Sequence, residues 1–84
     1  QLNQNYPNPF NPSTTIGFSL PARSTATLEI YNVLGQSVER LHSGVLPAGD
    51  HKFSWDASKF PSGVYFYRLK SALGVQTKKM LLVK

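Results

Sequence analysis

At 84 residues, with 40% hydrophobic and 15% charged residues, the chain has room for one modest core and too much apolar content for wholesale disorder. It has no cysteine, which excludes disulfide staples, Cys-based zinc sites and a thiol nucleophile together and leaves burial as the main stabilising term. Nine Lys and Arg against four Asp and Glu give a net charge of +5. That charge would suit an anionic partner such as nucleic acid or lipopolysaccharide, but Arg23, Arg40, Lys52, Lys59 and Arg68 are scattered singly, as on a solvated surface. Only Lys70, Lys78, Lys79 and Lys84 gather, at the end, and no nucleic-acid partner is expected. The first residue is Gln1, with no charged and apolar leader before the body, so the natural N-terminus and any export signal are expected upstream. Residues 1–84 then form a single domain of a longer protein. No apolar run approaches the roughly 18 residues of a membrane-spanning helix.

In chain order, Leu2 to Ser13 carries Pro7, Pro9 and Pro12, which remove backbone donors and hold their predecessors extended, so no helix can form there. Thr14 to Leu20 alternates, with Ile16, Phe18 and Leu20 on one side, and Pro21 ends it. Thr25 to Tyr31 repeats the period, with Ala26, Leu28 and Ile30 inward, and Asn32 to Gln36 is a turn. Ser37 to His42 reads as a third, less cleanly patterned strand, followed by a Pro/Gly connection over Leu46 to Asp50. His51, Phe53 and Trp55 then alternate with Lys52, Ser54 and Asp56. Asp56 to Phe60 fits one helical turn with Asp56 as its cap. After Pro61-Ser62-Gly63, Val64 to Leu69 is a strong strand, and beyond a turn at Ala72-Leu73-Gly74 the last strand covers Val75 to Val83. Short strands at even spacing with Gly or Pro turns predict an all-β sandwich or barrel of six strands, with a seventh beginning at or before Leu2.

The supply of catalytic groups is thin: Glu29, Glu39, Asp50, Asp56, His42 and His51. His51 beside Asp50 cannot make a metal corner, since neighbours on a strand point to opposite faces, and Ser43 beside His42 lacks an orienting third group. Gly35, Gly44, Gly49, Gly63 and Gly74 sit singly at turns, so no phosphate-binding glycine loop is present. No enzyme activity, cofactor or metal is expected. Tyr31, Trp55, Tyr65, Phe66 and Tyr67 could form an aromatic platform for sugars, with Tyr67 its test residue, although a lone Trp in so small a sandwich belongs in the core. In the last strand Met80-Leu81-Leu82-Val83 is apolar at successive positions, so both faces need cover. Either the core takes one face and the Pro-rich segment the other, or the strand is a docking edge flanked by Lys78, Lys79 and Lys84.

Several stretches, read together, point further: Asn5-Tyr6-Pro7-Asn8-Pro9-Phe10-Asn11-Pro12-Ser13-Thr14-Thr15-Ile16, Tyr31-Asn32-Val33-Leu34-Gly35, Leu46-Pro47-Ala48-Gly49, Trp55-Asp56, Pro61-Ser62-Gly63-Val64-Tyr65 and Lys79-Met80-Leu81-Leu82-Val83-Lys84. In order and over nearly the whole chain, they resemble the type A C-terminal sorting domain of the type IX secretion system of Bacteroidota, itself similar to the immunoglobulin-like domain of flagellar hook-capping proteins. The resemblance implies an immunoglobulin-like sandwich of antiparallel strands, covalently linked to an N-terminal cargo and exported through the periplasm to the cell surface or medium. It implies as partners the translocon with its outer-membrane shuttle, and a sortase-like peptidase that removes the domain. Carried onto this sequence, the recognition residues are Pro7, Asn8, Pro9, Gly63, Tyr65, Lys79, Met80, Leu81, Leu82, Val83 and Lys84. The rival reading is a carbohydrate-binding or structural accessory module.

Overall fold

The computed structural model describes residues 1–84 as six antiparallel strands: β1 (Ser13–Leu20), β2 (Ser24–Asn32), β3 (Ser37–Leu46), β4 (Gly49–Asp56), β5 (Gly63–Ser71) and β6 (Gly74–Leu82). β1 pairs with β4 in one sheet, and the second sheet runs β3-β2-β5-β6, an arrangement consistent with the expected immunoglobulin-like sandwich. There is no helix. Asp56 caps a turn by accepting the Ser58 N–H at 3.0 Å, and the chain goes no further toward a helix before Pro61.

Period-two patterning builds the core directly. Ile16, Phe18 and Leu20 of β1 face Ala26, Leu28 and Ile30 of β2, Tyr65, Tyr67 and Leu69 of β5, and Met80 and Leu82 of β6, all buried. Trp55 of β4 is 1% exposed and packs edge-on against Tyr65 at 5.3 Å and tilted against Phe60 and Phe10. Its indole N–H donates to Glu39 Oε1 at 2.9 Å, tying β4 to β3 across the sheets. Such aromatic pairs add about 0.5–1.5 kcal/mol beyond the area they bury.

β3 is irregular for a visible reason. Its register with β2 slips between Leu28 and Glu29 and again between Ile30 and Tyr31, which leaves Leu41 and Val38 as extra residues without opposite numbers. Both extra residues are apolar and pack against the core. The strand also runs to Leu46, four residues beyond the His42 expected from sequence.

The anticipated seventh strand is present only as an interrupted ribbon. Gln1 exchanges hydrogen bonds with Ser19, Asn3 N–H donates to Gly17, and Tyr6 exchanges bonds with Thr15. One residue too many lies between Asn3 and Tyr6, and at this kink Asn5 turns inward. Its N–H donates to the Tyr67 hydroxyl at 2.8 Å, and that hydroxyl donates to the Asn3 carbonyl at 2.7 Å. The Asn5 side chain donates to Thr14 Oγ1 at 3.0 Å and to the Pro7 carbonyl at 3.1 Å, and Thr14 donates to the same carbonyl at 2.9 Å. Asn5 and Thr14 are the two buried polar residues of the protein, and both are satisfied, through each other, the Pro7 carbonyl and Gln4 Nε2, which donates to Asn5 Oδ1 at 2.7 Å. The chain then crosses to the second sheet, where Phe10 enters the core and bridges to Leu82 in parallel.

Tyr67 is fully buried, so it forms no part of a sugar platform. Burial pushes its phenol above the ordinary 10.0, with the Asn5 N–H partly opposing. Replacing Tyr67 with Phe strands the buried Asn5 N–H and is expected to cost about 1–3 kcal/mol in denaturant unfolding. Tyr6→Phe, at an 81% exposed position, should be neutral. Because the folded pKa of Tyr67 is raised, the native state gains full benefit below the unfolded value of 10.0 and loses it as pH climbs through the folded value. Alkaline unfolding that tracks phenolate absorbance in wild type, and loses that component in Tyr67→Phe, is the expected result. A variant as stable as wild type at neutral pH would refute the keystone role of this hydroxyl.

Candidate recognition surface

The residues singled out along the chain converge on one end of the sandwich. Gly63 lies opposite Leu82 and Tyr65 opposite Met80 in the β5–β6 ladder. Asn8 Oδ1 accepts the Leu81 N–H at 3.0 Å, Phe10 N–H donates to the Leu81 carbonyl at 3.0 Å, and Val83 N–H donates to the Phe10 carbonyl at 3.0 Å. Lys84 N–H donates to Ser62 Oγ at 3.2 Å and its ammonium to the Ser58 carbonyl at 2.7 Å. Segments more than seventy residues apart thus meet around the C-terminal end of β6.

The Pro-rich segment lies along the edge of β6 and leaves its outer face uncovered. Edge groups point away from β5 at Lys79, Leu81 and Val83, and these are the groups that Gln4 Nε2, Asn8 and Phe10 engage. The segment therefore supplies the strand partner that an incoming chain would otherwise provide, and it leaves free only the stretch near Val75 and Thr77. Strand addition at Leu81 to Val83 would have to displace the protein's own residues.

Alternation divides the convergent residues into two sets. Tyr65, Met80 and Leu82 are buried and shape the end of the core, with the Tyr65 hydroxyl donating to the Pro61 carbonyl at 2.7 Å. Gly63 has φ 148°, a backbone that L side chains rarely adopt, although a Cβ there would meet nothing within 4 Å. Its constraint is conformational and its role is to start β5. The outward set is Pro7, Asn8, Pro9, Lys79, Leu81, Val83 and Lys84, of which Leu81 is 39% and Val83 46% exposed.

Sequence reasoning left three neighbours of this surface out of the recognition set, although all lie in motifs that carry the resemblance. Tyr6 projects almost wholly into solvent, and Val33 and Leu34, at the tip of the β2–β3 turn, are 65% and 78% exposed. The two tip residues, with Phe60, Pro61 and Val64, line an open groove of about 430 Å³ beside Gly63. Two adjacent aliphatic residues in a tight turn, where polar types are the norm, were the available signal. The turn itself is fixed by Asn32, whose Oδ1 accepts the Leu34 and Gln36 N–H groups, and by Gly35 at φ 79°.

Asp56 lies within electrostatic reach of Lys84; the Ser58 backbone and hydroxyl, then Lys59 and Lys84, hold its carboxyl below the usual 3.8. Nε2 of His51 lies 2.8 Å from the Pro47 carbonyl and that of His42 3.3 Å from the Gly44 carbonyl, both turned to local backbone. Of the aromatic residues considered for sugar stacking, Trp55, Tyr65 and Tyr67 are interior, which leaves Tyr31 and Phe66 half-buried and Tyr31 already capped by Arg68 at 4.4 Å. No helix is long and apolar enough to cross a membrane.

No curated protein matches the chain. The family of secretion system C-terminal sorting domains matches it over residues 4–84, from within the Pro-rich opening to the last lysine. The chain therefore belongs to that family, the C-terminal sorting signals of the type IX secretion system.

Proposed function

We propose that the type IX machinery reads this domain at the β6 end, as a folded face; a sorting domain of this family is attached to a cargo, engages that machinery and sends its protein to the cell surface or the extracellular space. The supporting observation is the convergence of Pro7 to Pro9, Gly63 to Tyr65 and Lys79 to Lys84 at one end of the sandwich, some exposed and some beneath it. The translocon and its outer-membrane shuttle grip the exposed side chains of Leu81 and Val83, with Lys79 and Lys84 supplying charge and Pro7, Asn8 and Pro9 a rigid border. Gly63, Tyr65, Met80 and Leu82 act indirectly, by holding that border and strand in place. The domain folds in the periplasm, crosses with its cargo, and is then cut away by a sortase-like peptidase.

Face recognition fits the occupied edge better than strand addition does. An apolar centre with a polar, solvent-accessible rim is the usual anatomy of a docking patch. The test separates outward from inward residues. A periplasmic reporter fused to the domain and carrying Leu81→Ser with Val83→Ser is expected to keep a folded, protease-resistant domain and to stay in the periplasm. Lys52→Gln, on the exposed side of β4 in the other sheet, should export normally. Normal export of the Leu81/Val83 variant would sink the face reading, whereas failure of both variants would point to a general export defect and sink its specificity.

A further inference from the structure

The outer face of the four-stranded sheet carries a second feature, toward its β3 side and away from the β6 end. Antiparallel register sets Ser43, Thr27 and Lys70 in one row across β3, β2 and β5, and Arg40, Glu29 and Arg68 in the next. The slip after Leu28 deepens the local twist, and the two rows with Tyr31 line a concave pocket of about 260 Å³.

The one carboxylate in this pocket is already engaged at both oxygens. Glu29 Oε2 accepts the Ser37 hydroxyl at 2.5 Å and Oε1 the Tyr31 hydroxyl at 2.9 Å; these two bonds, with the Arg40 and Arg68 charges, keep the carboxyl ionised and below its ordinary range. Donors, by contrast, are largely unspent. Arg40 Nη2 is 3.7 Å from Glu29, too far for a hydrogen bond, and no side-chain bond in the protein engages Thr27, Ser43 or Lys70. Arg68 is fixed by its stack on the Tyr31 ring and by donation to the Tyr31 hydroxyl, with the rest of its fork free.

From this excess of oriented donors over acceptors we infer that the pocket binds a phosphate monoester, with Arg40 and Arg68 flanking the anion, Lys70 supplying a point charge, and Thr27 and Ser43 donating hydroxyl hydrogens. Guanidinium forks match the oxygen spacing of phosphate, and bonds between charged partners are the strong ones. Glu29 orients the flanking groups, and although each of its oxygens keeps a lone pair, Arg40, Arg68 and Lys70 outnumber this one carboxylate in the lining. This assignment is independent of the export reading, since none of its residues belongs to the β6 end.

Isotope-labelled protein titrated with inorganic phosphate, against chloride at matched ionic strength, is expected to show saturable amide shifts confined to the neighbourhood of Thr27, Ser43 and Lys70. The double variant Arg40→Gln with Lys70→Gln, both exposed positions, should keep its folded spectrum and weaken binding about tenfold or more, while Lys52→Gln binds as wild type. Vesicles of phosphatidic acid against phosphatidylcholine identify the source. Sedimentation with the former that the double variant loses assigns a lipid headgroup, and phosphate binding without vesicle binding assigns a soluble ester. Shifts that never saturate and spread over all lysines, or an unchanged constant in the double variant, overturn the site.

Discussion

The hydroxyl of Tyr67 is the constraint on which the rest of the structure depends. It sits at the centre of β5, fully buried, and a phenol there must both donate and accept or leave an orphan in the core. Its two partners are backbone groups of the N-terminal ribbon, the Asn3 carbonyl and the Asn5 N–H. That pins the ribbon at its kink, just before Tyr6 makes its last pairing with β1 and the chain crosses to β6. Beyond this fixed point the segment is held by buried Leu2 and Phe10, by the Asn5–Thr14 bond and by edge bonds, and the edge bonds exposed to water contribute little.

From the kink outward, several residues of the opening motif have a mechanical assignment. Asn5 and Thr14 share the Pro7 carbonyl, Asn8 caps Leu81, Phe10 fills the space beside Trp55, and the Pro12 carbonyl accepts the Ala57 N–H before β1 begins. The prolines suit this path because the segment needs few donors of its own and must not collapse into a helix. Two sheets that share no strand are joined in this way along the β1/β6 side, while the Trp55–Glu39 bond and the short Pro47–Ala48 connection join them along the other. A sandwich this small, without disulfides, needs both seams closed, because its core alone is modest.

Much of the fold was legible in the sequence, because alternation reports burial residue by residue: Ile16, Phe18 and Leu20, then Ala26, Leu28 and Ile30, then the lone Trp, all lie where their spacing put them. Three things were not legible. Bulges disguise β3, since Val38 and Leu41 break the period in order to reach the core. Partner choice between strands is non-local, so nothing in β1 announces that it pairs with β4. The fate of Tyr67 depends on two backbone groups more than sixty residues away, and its hydroxyl makes it resemble a surface residue until that partner is known. The candidate surface was legible as a set of motifs but not as a division: sequence could not say that the Pro-rich segment would sit on the edge of β6, nor that half of its last residues would be core.

That division bears on what a sorting signal of this kind can report. Met80 and Leu82 are core residues, whereas Lys79, Leu81 and Val83 share a face only while β6 is paired with β5 on one side and held by Asn8 and Phe10 on the other. In an unfolded chain the same residues are an apolar run with alternating sides averaged away, and no face exists. A receptor that reads the outward side chains thereby reads the seam closed by Tyr67, since loosening the ribbon frees the edge and the border together. The selectivity for folded protein would then reside in the domain itself, built from the same contacts that stabilise it.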